Sequence, residues 1–284
     1  MQKIIENVLH PTDFSEGSRV AFYHALKSAL LSRSRLTLLN VSADGDEHWS
    51  EFPAVRETLE LWGLLPKGSP RTAVVDLGID VRKAIMPQGD PVKGVIDYMV
   101  RHPADLIVLA TQQRRGASRW LSSSVAEPIA RRAAEMTLFI PSDSDGFVSP
   151  NDGSVSIKNV LIPVATSPSP QPAVEAAARL VRSMGVTEGT FTLLHIGDSN
   201  SVPHVQTPDL PGWTWTREVV PGEVIRTIID VANETETDLI VMTTDGRNGF
   251  LDGLRGSHSE RVLRESGVPL LTVPLGSLMY DTSA

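Results

Sequence analysis

The chain says the same thing twice, and that restricts it to folds that can be built as two whole copies. Residues 104–113 read ADLIVLATQQ and residues 237–246 read TDLIVMTTDG. LTLLNV at 36–41 returns as FTLLHI at 191–196, and NVLHPTDFS at 7–15 as NVLIPVATS at 159–167. MTLFIP at 136–141 is echoed by PLLTVP at 269–274. The offset between copies is 152 residues at NVLHPTDFS, 155 at LTLLNV and 133 at ADLIVLATQQ and MTLFIP. Solenoid units are only roughly 20–50 residues long, so each copy is a complete domain. A length of 284 residues suits two domains, each able to bury its own core.

Short runs rich in Val, Ile and Leu predict strands at 7–11, 35–41, 81–86, 105–110 and 136–140. In the second copy they fall at 159–164, 190–196, 214–220, 238–243 and 269–273. Several are apolar on both faces, as in a parallel sheet covered by helices. Helical stripes lie between them: Val20, Tyr23, Leu26 and Leu30; Val92, Val95, Ile96 and Met99; Val174, Ala177, Ala178 and Val181. These stripes are read as core. Alternating strands and helices imply right-handed parallel βαβ units.

The fall in offset means that about 22 residues of the first copy are missing from the second. In the first copy that region holds WSEFPAVRETLELWGLL, which predicts an extra amphipathic helix at about 50–65. The second copy has the proline-rich VPHVQTPDLPGWTW instead. The expected division is a first domain over 1–142, a linker over 143–157, a second domain over 158–276 and a tail over 277–284. The linker expectation rests on PSDSDGFVSPNDGSVSIK at 141–158, which offers little to bury.

Composition excludes several classes. The net charge of −8 argues against a general nucleic-acid surface. The local cluster of Arg114, Arg115, Arg119, Arg131 and Arg132 reads as a solvated face. Without cysteine there is no disulfide, thiolate–metal or thiol chemistry. The seven histidines show no metal-ligand spacing. No apolar run approaches the roughly 20 residues of a membrane span. The opening MQKIIENVLHPTD has no signal-peptide core, so cytoplasm is the expected compartment.

In a doubly wound sheet, ligands sit at the carboxyl edge where strand order reverses. In the second copy the loop reaching that edge after the fourth strand reads TTDGRNGFLDGLRGSHSERVL. Gly246, Gly249, Gly253 and Gly256 leave main-chain N–H groups open to an anion, and Ser257 stands at a helix start. This pattern resembles the universal stress protein family, whose fingerprint is G-x2-G-x9-G-[ST]. Gly246, Gly256 and Ser257 fit; Thr243 stands in the place of the first glycine. PTDFSEGSRVAFYHAL, LTLLNV, QGDPVKGVIDYMV, ADLIVLAT and SVAEPIARRA also look like family segments in the family's order.

The resemblance implies a tandem universal stress protein: two open, five-stranded parallel α/β sheets in strand order 3-2-1-4-5, adenine nucleotide alpha hydrolase-like. It implies a stress sensor or scaffold with ATP, and Mg²⁺, as the ligand. Carried over, the family's adenosine-side positions are Pro11, Asp13 and Val41 in the first copy, and Pro163 and Ile196 in the second. The phosphate side of the first copy falls on Ala110, Gln113, Ser123 and Ser124, of which only Ser124 matches. In the second copy it falls on Thr243, Gly246, Gly256 and Ser257, with His258 beside them; Ala165 replaces the aspartate. Each site is thus degenerate, the second less so. No residues for hydrolysis can be named, so turnover is expected to be a weak ATPase at most. A protein-interaction module with relic pockets is the alternative. The resemblance also implies pairing of the two domains with each other through their last strands, as a pseudo-dimer, with a homodimer as a further assembly.

Other residues have plainer readings. Asp13 could cap the following helix. His258 is either a phosphate contact or a capping-region residue. His10 is expected to be packed, and His195 to be a hydrogen-bonded core histidine. Trp213 and Trp215 alternate along the third strand and are expected to pack under the proline-rich loop. Trp49 and Trp62 should anchor the extra helix.

Overall fold

The structure is a computed structural model that describes residues 5–43, 49–111, 123–245 and 258–275. The chain divides into two compact units. The first comprises Met1–Ala133 and Phe139–Val155; the second comprises Ala134–Leu138 and Ser156–Ala284.

In the first copy of the repeat the strands are β1 (Asn7–Pro11), β2 (Arg35–Ser42), β3 (Asp80–Pro87), β4 (Leu106–Thr111) and β5 (Met136–Pro141), whose residues up to Leu138 are counted with the second unit. Its helices are α1 (Glu16–Ser32), α2 (Val55–Leu61), α3 (Ala73–Asp76), α4 (Pro91–Arg101) and α5 (Ser123–Ala133). The second unit has β6 (Asn159–Pro163), β7 (Gly189–Ile196), β8 (Trp213–Val220), β9 (Leu239–Thr244) and β10 (Leu270–Pro274). Its helices are α6 (Gln171–Ser183), α7 (Val224–Glu234) and α8 (His258–Glu265). The strand order is β3-β2-β1-β4-β5 in one unit and β10-β9-β6-β7-β8 in the other. Both are the expected 3-2-1-4-5. β1 pairs in parallel with β2 and β4, and β6 with β7 and β9. No helix among the described residues is long and apolar enough to cross a membrane.

The same small devices fasten both sheets. Asp105 Oδ2 accepts from the backbone N–H of Glu6 (2.8 Å) and Asn7 (2.9 Å). Asp238 Oδ2 does the same for Lys158 (2.7 Å) and Asn159 (2.9 Å). Each carboxylate satisfies two donors at the start of a central strand that its neighbours leave unpaired. This is the physical content of the repeated Asp-Leu-Ile-Val. Asp90 caps α4 and Glu223 caps α7 at aligned positions.

The extra helix of the first unit forms as α2. Leu59 is fully buried, Val55 and Trp62 nearly so, and Trp62 Nε1 donates to Pro150 O at 3.1 Å. Trp49 stacks on Phe52 with centroids 5.8 Å apart. In the second unit Trp213 and Trp215 lie against Phe191, at 4.4 and 4.1 Å. The Trp215 Nε1–H donates to Pro208 O of the proline-rich segment at 3.0 Å, whereas that of Trp213 donates to Val186 O at 3.1 Å.

Two expectations need correction. The face that α1 buries is turned from the one expected: Ala21, Phe22, Ala25, Leu26 and Ala29 are at most 1 % exposed, while Val20, Tyr23 and Leu30 are half-buried. Small alanines let the helix lie close to the sheet, and Tyr23 is left to meet Trp62 at 6.3 Å. The segment expected to bury little also packs onto the first unit. Phe147 and Val148 are each 1 % exposed, and their N–H groups donate to His24 Nε2 at 3.0 and 3.2 Å. Gly146 has φ +64, and a Cβ there would sit 2.4 Å from the His24 ring. The buried His24 ring donates from Nδ1 to Val20 O at 2.8 Å, so Nε2 must be the bare acceptor. Burial lowers its pKa to about 4, which keeps the ring neutral.

Candidate functional site

Both sheets reverse strand order beside the first strand of their unit, so the carboxyl ends of the first, second and fourth strands meet at one edge. In the second unit that edge holds a cavity of about 240 Å³. Pro163, Leu194, Ile196 and Met242 form its strand side, and Val224 and Ile228 of α7 close it laterally. Polar atoms come from His195, Thr243, Thr244, Asp245 and His258. Four sequence-predicted residues, Pro163, Ile196, Thr243 and His258, are thereby brought together. Gly246, Gly256 and Ser257 lie outside the described residues.

Local sequence explains why the cavity exists. α1 begins at Glu16, whose aligned position is Pro168; α6 begins only at Gln171. Pro168, Pro170 and Pro172 lack the N–H groups of a helix and start it late. With Pro170 at the N-cap, no side chain of the segment caps the first turn. Thr243 supplies the cap from β9: its hydroxyl accepts from Ala173 N–H at 3.2 Å. Thr243 therefore has a structural role as well as a place in the cavity wall, and one lone pair remains for a ligand. His258 is the first residue of α8 and is exposed.

His195 is the buried, hydrogen-bonded residue expected, and it also borders the cavity. Its Nδ1 contacts Val164 O at 3.1 Å and its Nε2 contacts Ser201 Oγ at 2.9 Å. Asn40 occupies the aligned position of the first unit, donating to Thr12 O at 2.8 Å. Two different side chains thus hold the same carbonyl, just beyond the first strand.

In the first unit the arrangement is tighter. Pro11 and Val41 are buried. α4 approaches Val41 through Gly94, where an added Cβ would lie 2.6 Å from Val41 Cγ1. Asp13 Oδ1 accepts from Ser15 N–H at 3.1 Å and from Ser15 Oγ at 2.6 Å. Ser15 in turn caps α1 through Ser18 N–H. Asp13 therefore orients the cap rather than providing it. Thr111, at the end of β4, is 2 % exposed and its hydroxyl has no hydrogen-bond partner among the described residues. His10 is fully buried, with Nδ1 on Val108 O at 2.9 Å; burial lowers its pKa to about 4. Ser124 falls within α5, but its side chain is outside the described part. Among the described residues, no group of three or more His, Asp or Glu is placed to hold a metal ion.

The universal stress protein family profile matches residues 5–141 and 210–274, most of the chain. The chain belongs to the universal stress protein family. The unmatched stretch between these regions carries β6, the prolines before α6, and β7. Among solved structures, a universal stress protein from Archaeoglobus fulgidus DSM 4304 aligns with 97% of this chain and 100% of its own, at 20% identity and TM-score 0.62. A functionally unknown protein from Pseudomonas aeruginosa PAO1 aligns over 95% and 92%, at 13% identity and TM-score 0.59. The cytoplasmic domain of a prokaryotic cation chloride cotransporter aligns over 94% of each chain, at 12% identity and TM-score 0.50. At such identities the likeness is one of fold, the adenine nucleotide alpha hydrolase-like fold. No curated protein matches the chain.

Sequence reasoning missed Val224, Ile228 and Asp245 as cavity residues. Val224 and Ile228 are four apart on α7, a visible pair on one helix face. Asp245 directly precedes Gly246 in the glycine-rich loop.

Proposed function

We propose that this universal stress protein is a cytoplasmic stress-response sensor or scaffold that binds an adenine nucleotide in its second unit. The cavity at the carboxyl edge of β6, β7 and β9 carries this reading. Its walls are apolar where a flat base needs them and polar at one end. At about 240 Å³ it suits a base and ribose, not a whole triphosphate. The phosphates, with Mg²⁺, would extend toward Gly246, Gly256 and Ser257. Pro163 and the main chain at Ile196 flank the base, and the Thr243 hydroxyl and His258 face the phosphate end. No turnover beyond a weak ATPase is proposed. The first unit, closed over Val41, holds nucleotide less well or not at all.

Calorimetric titration with ATP and Mg²⁺ tests the reading. Saturable heat that Ile196→Trp abolishes is expected. Ala165→Asp restores the missing carboxylate and should tighten binding by about tenfold to a hundredfold. No heat at millimolar nucleotide ends the reading. It would favour an interaction module with a relic pocket. Two observations point that way: Ala165 offers no carboxylate, and the described cavity wall contains no Lys or Arg.

A further inference from the structure

The first unit has a cavity of about 280 Å³ whose lining includes Thr12 and Phe14, on either side of Asp13, but not Pro11, Asp13 or Val41 themselves. It lies between the start of α1 and the segment leading into α2. Phe14, Phe22, Tyr23 and Phe52 form ring walls; Ser15, Arg19 and Glu51 bring polar atoms, and Ala54 and Thr58 stand on the α2 side. The rings are fixed in place. Phe14 has φ +63, a conformation bulky side chains rarely adopt, with its N–H held by Thr12 Oγ at 3.1 Å. Phe52 meets it edge-on at 5.1 Å and is only 4 % exposed. Trp49 stacks on Phe52, and Lys83 Nζ lies 5.6 Å from the Phe52 centroid.

Nothing in the repeated fold requires this. At the aligned positions the second unit carries Thr166, Val174 and Glu175 in place of Phe14, Phe22 and Tyr23, and it has no counterpart of α2. A cavity of this size, walled by four rings and lined at one end by hydroxyls and charges, has the make-up of a ligand site.

We propose that the insertion creates a binding site for a small aromatic compound of one or two rings with one hydrogen-bonding group. The ring lies among Phe14, Phe22, Tyr23 and Phe52, and the polar group faces Ser15 and Arg19. Ser15 also holds Asp13, so an occupant would bear on the switch-point edge of the same unit. The site stands independently of nucleotide binding in the second unit.

The test is ¹H–¹⁵N NMR of the full chain, titrated with phenol, indole and cyclohexanol. Phenol and indole should shift the amides of Phe14, Tyr23 and Phe52 saturably, about tenfold tighter than cyclohexanol, because ring–ring contact adds to burial. Ala54 is exposed and makes no capping side-chain bond, so Ala54→Phe should plug the cavity and weaken binding at least about tenfold. If that variant fails to fold, Thr58→Met fills the space from the next turn and should have the same effect. Shifts that do not saturate, cyclohexanol binding as tightly as phenol, or a folded plugged variant that binds like the original would each overturn the proposal.

Discussion

The two units share a strand order and differ in where each elaborates it. The first is sealed by additions on its outside: α2, and the 146–155 segment held by His24. Its carboxyl edge is tight, with Gly94 against Val41. The second lacks α2 and starts α6 late, and its edge is open. At the position aligned with Gly94 it has Thr227, whose bulk would not allow so close an approach to Ile196. At the positions aligned with the buried His10 and His24 it has Ile162 and Ala176. One plan thus gave a reinforced body that is closed at its carboxyl edge, and a plainer body with a cavity there.

The largest way to separate the units is acid. His10 and His24 titrate at about 4 when folded against an ordinary value of 6.5. Their lowered pKa favours the neutral ring, so the unfolded chain binds more protons between those values. The contribution to stability is fully present above pH 6.5 and is lost as pH falls toward 4. It is on the order of 3 kcal/mol for each histidine. Hydrogen exchange at pH 7 and pH 4.5 should show the first unit loosening while the second holds. Equal loosening of both units would break the contrast.

Next come the shared clamps. Asp105→Ala and Asp238→Ala each strand two backbone donors and should cost about 1.5–3 kcal/mol by urea unfolding. The two costs should match, because the geometry does. Gly94→Ala should cost about 1–3 kcal/mol, since β-branched Val41 cannot turn away freely. Thr227→Ala, the aligned change in the second unit, should stay near or below 1 kcal/mol. The smallest effect is at the cap: Thr243→Val should cost about 1 kcal/mol and raise exchange at Ala173 N–H.

Much of this was legible in the residues. All ten strands lie within a residue or so of their predicted bounds: the central ones are nearly unbroken apolar runs, and the edge strands β3 and β8 keep apolar residues among charged ones. The insertion and the tryptophan packing followed from comparing the copies. The buried face of α1 did not: its closest contacts are alanines, which hydrophobicity ranks low and only tertiary spacing selects. His24 and Phe147 are far apart in sequence, and two apolar residues in a polar segment have no periodicity to read. The cavity was half legible. Pro163, Ile196, Thr243 and His258 came from a motif, but the wall formed by Val224 and Ile228 depends on how closely α7 approaches the sheet.

The join between the halves cannot be treated as a spacer. Swapping residues 143–157 for a Gly-Ser tether of equal length would empty the slot filled by Phe147 and leave Nε2 of His24 facing nothing. Engineers who want to lengthen or cut this protein should do so after Val155, where the chain has already finished fastening the half that precedes it.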